Sequence, residues 1–181
     1  EETLQALVDI VRSGKALYVG ISRWPLEATR FGLEYLRKRD VPCLCYQGRI
    51  NLLDRAPIEE GILDEVCRSG SGFVSFSPLA QGLLAGRYAN GIPDDSRMRR
   101  DFTLPEDRLT PDLQRRLSAF AAIAARRGDT PATLALRWVL EQEGVTSVIV
   151  GASSIAQLAD NLRCTSGTPL TKEEMSELES I

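Results

Sequence analysis

Residues 145–162 read VTSVIVGASSIAQLADNL. Six residues rich in β-branched side chains, a Gly-Ala-Ser-Ser turn and apolar positions at helical spacing predict a strand, a short loop and a helix. The strand is placed at about 146–150 and the helix at Ile155 to Leu162. The same unit recurs upstream. Ala16-Leu-Tyr-Val-Gly-Ile21 is a short apolar run of the kind buried on both faces. Pro25 then opens a helix to about Lys38, with Leu26, Phe31 and Leu36 as its inward face. Val41-Pro-Cys-Leu-Cys-Tyr46 predicts a second strand, at about 43–47, and Glu59 to Arg68 a helix with Ile62, Leu63 and Val66 inward. Gly70-Ser-Gly72 turns the chain into a third strand, Phe73 to Phe76.

Helices fill the remainder. Leu4, Leu7, Val8 and Val11 recur at helical spacing before Gly14, a C-cap residue. Pro111 starts a helix to about Arg127, Thr130-Pro131 another through Leu140, and Thr171-Lys-Glu-Glu174 has the capping-box spacing. Trp138 reads as core. Between residues 90 and 110 the chain is polar and rich in Asp and Arg.

Strands alternating with helices every ~30–40 residues mean βαβ units, hence four parallel strands in sequential order. Doubly wound and barrel architectures both satisfy that pattern. Neither GxGxxG nor GxxxxGK[ST] follows a strand, which counts against a dinucleotide fold and a P-loop. Four units are half of a (β/α)8 barrel, which typically needs ~250 residues. The chain opens Glu-Glu-Thr inside a helical pattern, and the expectation is that part of a barrel is missing.

Composition narrows the function. A net charge of −3 gives no basic face for nucleic acid. No apolar run reaches the ~20 residues of a membrane span, and no signal-peptide pattern opens the chain. Four scattered cysteines without CxxC predict reduced thiols in a cytoplasmic protein, with Cys43 and Cys45 on one strand face. With no histidine, neither a Ser-His-Asp triad nor His-based acid/base chemistry is available, and a metal site is not expected.

Parallel α/β proteins gather function at the carboxyl ends of their strands. Those ends carry Ser22-Arg23-Trp24, Gln47-Gly48-Arg49-Ile50-Asn51, Ser77-Pro78-Leu79 and Gly151-Ala152-Ser153. Each offers donors, and none opens with a carboxylate, a rim suited to an anion. Any one of them alone also reads as a helix-capping loop residue. In FSPLAQGLLAGRY (76–88), Gly82 and Gly86 would let backbone approach a ligand and expose amides, with Ser77 and Arg87 nearby for phosphates. Arg97 joins them only if the long polar loop folds over. Gln157, Asp160 and Asn161 share one helix face, whose N-terminus favours phosphate.

Taken together, GKALYVGIS (14–22), YQGRINLLDR (46–55), FSPLAQGLLAGRY (76–88), GIPDDSRM (91–98), LALRWVL (134–140) and VTSVIVGASSIAQLADN (145–161) resemble the aldo-keto reductases. These are NAD(P)H-dependent (β/α)8 TIM barrels, and the strings follow the family's order over nearly the whole chain. They look most like the branch with the L-glyceraldehyde 3-phosphate reductases and potassium-channel β subunits. The resemblance implies that residues 1–181 are the C-terminal four β/α units of one barrel domain, binding NADPH.

In that likeness Ser22, with Arg23 beside it, and Gln47 hold the nicotinamide carboxamide, and Phe76 stacks on the ring. Ser77, Pro78, Leu79, Ala80, Gln81 and Gly82 line the pyrophosphate. Arg87, Arg97, Gly151, Ser153 and Gln157 surround the adenosine 2′-phosphate. Asp160 and Asn161 hold the adenine, where the family usually has Glu in place of Asp160. The catalytic Asp, Tyr, Lys and His of the family have no counterpart here, so no catalytic residue is assigned. The implied activity is NADPH-dependent reduction of a small-molecule aldehyde or ketone by the whole protein. The alternative is an NADPH-binding regulatory module like the channel β subunits, or a half-barrel with a structural role. A homo-oligomer is compatible with the sequence.

Overall fold

The computed structural model describes residues 1–88, 91–94, 96–100 and 104–181, without the side chains of Arg97 and Arg100. The chain divides into two compact units. The first comprises Glu1–Ile50, Arg55–Phe76 and Gln142–Ile149; the second Asn51–Asp54, Ser77–Glu141 and Val150–Ile181.

The first unit is built on β1 (Val19–Ser22), β2 (Cys43–Arg49), β3 (Gly72–Phe76) and β4 (Val145–Val148). All pairs are parallel and the spatial order is β1-β2-β3-β4, as the crossover rule requires of consecutive βαβ units. Helices α1 (Glu2–Arg12), α2 (Leu26–Arg37), α3 (Ala56–Glu59) and α4 (Ile62–Arg68) accompany them. Val19, Ile21, Tyr46, Phe73 and Ser75 are buried, and the rings of Tyr46 and Phe73 stack with centroids 5.4 Å apart. Leu4 and Val8 of α1, Leu33 and Leu36 of α2, and Ile62, Leu63 and Val66 of α4 are buried as well.

Five local expectations need correction. β1 begins at Val19, not Ala16; Leu17 and Tyr18 precede it and are 84% and 66% exposed. Its burial alternates rather than covering both faces, because Gly20 and Ser22 lie on an open face. Phe31 is 46% exposed: the inward stripe of α2 runs Thr29, Gly32, Leu33, Leu36, and Phe31 lies about 200° around the helix from Thr29. The helix expected from Glu59 to Arg68 starts at Ile62, because Gly61 at φ +76° separates it from the short α3. Cys43 and Cys45 do not share a face. They pair with the consecutive residues Val19 and Gly20, so a bulge at Leu44 reverses the alternation. Cys43 is buried, which pushes its thiol above the usual cysteine range, while Cys45 is half-buried.

The second unit holds a 3₁₀ segment at Ala80–Ala85, then α5 (Arg97–Arg100), α6 (Pro111–Arg127), α7 (Pro131–Leu140), α8 (Ile155–Leu162) and α9 (Lys172–Glu179). Local caps set these starts. Thr110, Thr130 and Ser154 each accept from the backbone N–H three residues on, and Pro occupies the first position of α6 and α7. Among the described residues no helix is long and apolar enough to cross a membrane.

Helix α9 carries the full capping box. Glu174 accepts from the Thr171 N–H at 2.8 Å, and Thr171 Oγ accepts from the Glu174 N–H at 3.2 Å. The Thr171 N–H, with help from the Arg127 guanidinium, holds the Glu174 carboxyl below the usual range. A depressed carboxyl pKa stabilises the fold above the ordinary Glu value of about 4.3, and that contribution is lost as pH falls through the folded value. Glu174→Gln keeps a capping acceptor and removes only the charge. Its melting temperature is expected to lie below wild type at neutral pH, with the gap closing below about pH 4. A gap that persists in acid would assign the loss to altered packing.

Candidate functional site

Non-glycine residues in the left-handed region locate the strained backbone. Among the described residues these are Arg23 (φ 57°), Asp40 (57°), Ser77 (51°), Ala80 (47°) and Gln81 (60°). Each such residue costs roughly 1–2 kcal/mol relative to right-handed backbone. Asp40 follows the end of α2; the other four follow the carboxyl ends of β1 and β3. Strain of this kind persists only where the surrounding structure holds it, and it clusters at active sites and ligand clamps.

In the first unit, Ser22 and Gln47 are direct partners in the β1–β2 register, and the Arg23 N–H donates to the Gln47 carbonyl at 3.1 Å. Ser22 is exposed and Gln47 half-buried, so a hydroxyl and an amide stand side by side at one edge of the sheet face. Phe76, also half-buried, pairs with Arg49, whose guanidinium carbon is 5.7 Å from the ring centroid, within cation–π range. Arg49 is read in the sequence as one of the strand-end residues, with no role toward a ligand. Its spacing of two from Gln47 places both on one strand face, and that was the available signal.

In the second unit the loop after Ser77 is a chain of tight turns. The Ala80 N–H donates to the Ser77 carbonyl at 2.9 Å, and the Gly82 and Leu84 N–H groups both donate to the Leu79 carbonyl. Gln81 (φ 60°) and Gly82 (φ 97°) kink the 3₁₀ segment. Pro78 is buried, Leu79 and Ala80 are half-buried, and Gln81 and Arg87 are exposed. The buried Asn51 anchors this loop, donating from Nδ2 to the Ser77 carbonyl at 3.1 Å while its Oδ1 accepts from the Leu53 N–H.

The two glycines differ from each other. A Cβ at Gly82 would meet nothing within 4 Å, so that backbone is open to a ligand. A Cβ at Gly86 would lie 2.8 Å from Pro131 Cγ. Gly86 therefore serves packing against the start of α7, which corrects its reading as a ligand approach. The Gly82 amide, expected to be exposed, is already committed to Leu79.

At the start of α8, Gly151 and Ser153 are exposed, and Gln157 Oε1 accepts from both the N–H and the hydroxyl of Ser153 at 2.9 Å. With its oxygen taken, Gln157 can offer a ligand its NH2 group, a donor, as an anion requires. Asp160 and Asn161 differ from Gln157 in exposure. Asn161 is buried, and the Asp160 carboxylate accepts from Thr130 Oγ at 2.7 Å. The side chain of Arg97 lies outside the described residues.

The model of the aldo/keto reductase family matches residues 1–181. L-glyceraldehyde 3-phosphate reductases of Escherichia coli O157:H7 and of Escherichia coli strain K12 are 42% and 41% identical over 183 residues. Each alignment covers 99% of this chain and 53% of the relative, so the chain spans about half the length of the curated relatives it matches. A crystal structure of a thermostable aldo-keto reductase in complex with the inhibitor epalrestat superposes with a TM-score of 0.71 at 27% identity, covering 99% of this chain and 53% of that one. Four parallel strands in sequential order, alternating with helices, are the β/α units of such a (β/α)8 barrel. The chain belongs to the aldo/keto reductase family.

Proposed function

We propose that this chain is the cofactor-binding, C-terminal half of an NADPH-dependent aldo-keto reductase that converts an aldehyde or ketone to an alcohol. The observation that carries the reading is the left-handed strain at Arg23, Ser77, Ala80 and Gln81, beside donors at strand ends. A loop held at such cost, with open space over Gly82 for a ligand's close approach, is suited to a pyrophosphate. Ser22 and Gln47, adjacent in register, present a hydroxyl and an amide suited to a carboxamide, and Phe76 a ring face for stacking. Arg87 supplies a guanidinium for a phosphate, and Ser153 with Gln157 frames the α8 N-terminus for the same charge.

Bound NADPH would supply the hydride. This chain's residues would bind and orient it. The proton for the carbonyl oxygen is assigned to residues outside 1–181, since no histidine is present and Tyr46 is buried with its hydroxyl donating to the Trp24 carbonyl at 2.9 Å.

Fluorescence titration of the whole protein with NADPH and NADH tests the reading. Arg87→Ala is expected to weaken NADPH binding roughly 10- to 150-fold, the equivalent of one hydrogen bond to a charged group. NADH should change by less than about threefold. Equal losses for the two would remove Arg87 from the 2′-phosphate, and absence of NADPH binding by wild type would sink the function proposed.

A further inference from the structure

We infer that the buried Asn51 is a positioning residue for the cofactor: its side-chain amide sets the Ser77–Pro78 peptide, and with it the loop that receives the pyrophosphate. The role toward the cofactor rests on the proposed NADPH reading.

Ser77 opens that loop at φ 51°, a conformation that an L side chain disfavours. Its carbonyl accepts twice, from Asn51 Nδ2 at 3.1 Å and from the Ala80 N–H at 2.9 Å. A carbonyl oxygen has two lone pairs, so both are engaged and the peptide plane is fixed. The Ala80 bond only closes the turn on itself. Asn51, in the same compact unit, is the contact from outside the loop, 26 residues away in the chain.

Asn51 is itself held so that it cannot swing away. It is 1% exposed, and its Oδ1 accepts from the Leu53 N–H at 3.0 Å. Its backbone pairs with Asp54, each N–H donating to the other's carbonyl at 3.0 Å. The two ends of the amide cannot be exchanged. A flipped group would set oxygen against the Ser77 carbonyl and NH2 against the Leu53 N–H.

Beyond Ser77 the turns depend on one another. The Leu79 carbonyl takes the Gly82 and Leu84 N–H groups at 2.8 and 3.2 Å, and Ala80 and Gln81 are left-handed too. Releasing the Ser77 carbonyl lets this strain relax. A relaxed loop binds in proportion to the fraction still in the binding conformation.

Asn51→Ser isolates the contact. A serine hydroxyl can still accept from the N–H two residues on, but its one short oxygen cannot also donate to Ser77. In the ligand-free whole protein, the Ala80, Gly82 and Leu84 amides should exchange hydrogen roughly three- to tenfold faster, the equivalent of one lost hydrogen bond. Unchanged exchange would refute the strut whatever the ligand. In calorimetric titration NADPH should bind roughly three- to tenfold more weakly. Binding of 2′-AMP, which carries no pyrophosphate, should change by less than about twofold. Equal losses for the two ligands, or none for NADPH, would overturn the positioning role. Failure of wild type to bind NADPH would overturn the cofactor reading and that role with it, while the exchange rates judge the strut separately.

Asn51→Asp adds a readout that loosened packing would not move. The protonated acid reproduces both bonds, donating to Ser77 and accepting from Leu53, whereas the ionised form sets a charge against the Ser77 carbonyl. Burial and that donation favour the neutral form, so the folded pKa lies above the ordinary aspartate value of about 3.9. The match to wild type is present below the folded pKa and lost as pH rises through it. The ratio of variant to wild-type NADPH dissociation constants should lie within about threefold at about pH 5 and exceed about tenfold at about pH 8.5. A ratio that does not move with pH would mean that Asn51 does not act through its donor.

Discussion

Trp138→Ala is expected to cost about 3–5 kcal/mol of folding free energy, the range for emptying a fully buried indole site. Trp138 is 0% exposed, and every residue of α7 from Ala132 to Val139 is buried. A helix buried around its whole circumference cannot slide to refill the space, so the cavity persists. Domains are stable by only ~5–15 kcal/mol, so roughly a fifth or more of the total is at risk. Urea titration should show a lower midpoint with an unchanged slope. Trp138→Phe, which keeps most of the volume, should lose less than half as much. A loss under about 1 kcal/mol for the alanine variant, the level of ordinary substitutions, would show that the site collapses.

The helices of the second unit were legible because their signals are local. Thr110-Pro111, Thr130-Pro131 and Thr171 with Glu174 each place a cap and its partner within three or four residues, and α6, α7 and α9 start where those pairs require. Strand existence and order were legible too, from apolar runs and crossover handedness. Register was not. The bulges opposite Val19/Gly20 and Phe73/Val74 depend on a partner strand more than twenty residues away, so the faces of Cys43 and Cys45 could not be read from their spacing.

The candidate site divides the same way. Residue types at strand ends pointed to Ser22, Gln47 and the loop after Phe76. The strain in that loop was invisible, because glycine advertises positive φ and Ser77, Ala80 and Gln81 do not. The grip of Thr130 on Asp160 links residues thirty apart. Nothing in a helical wheel of α8 shows that contact.

Gly48→Val is expected to destabilise by about 3 kcal/mol, the upper end of the usual overpacking range, and Gly48→Ala by about 1–2 kcal/mol. Gly48 lies within β2 and has no backbone need to be glycine. Its φ is outside the left-handed region, unlike that of Gly82 or Gly86. Valine has the higher strand propensity, so local preference alone would make both variants more stable than wild type. Packing decides otherwise. A Cβ at Gly48 would lie 2.5 Å from Phe73 Cζ and 2.9 Å from Tyr46 Cε1. Neither ring can yield cheaply: Phe73 is 0% and Tyr46 2% exposed, they stack on each other, and the Tyr46 hydroxyl is tied to the Trp24 carbonyl. Phe73→Leu should shrink the obstructing ring, so a double-mutant cycle with Gly48→Ala should recover part of the loss. Stabilisation by Gly48→Val in a denaturant titration would mean that the rings move aside freely and that the stacked pair contributes little to holding β2 against β3.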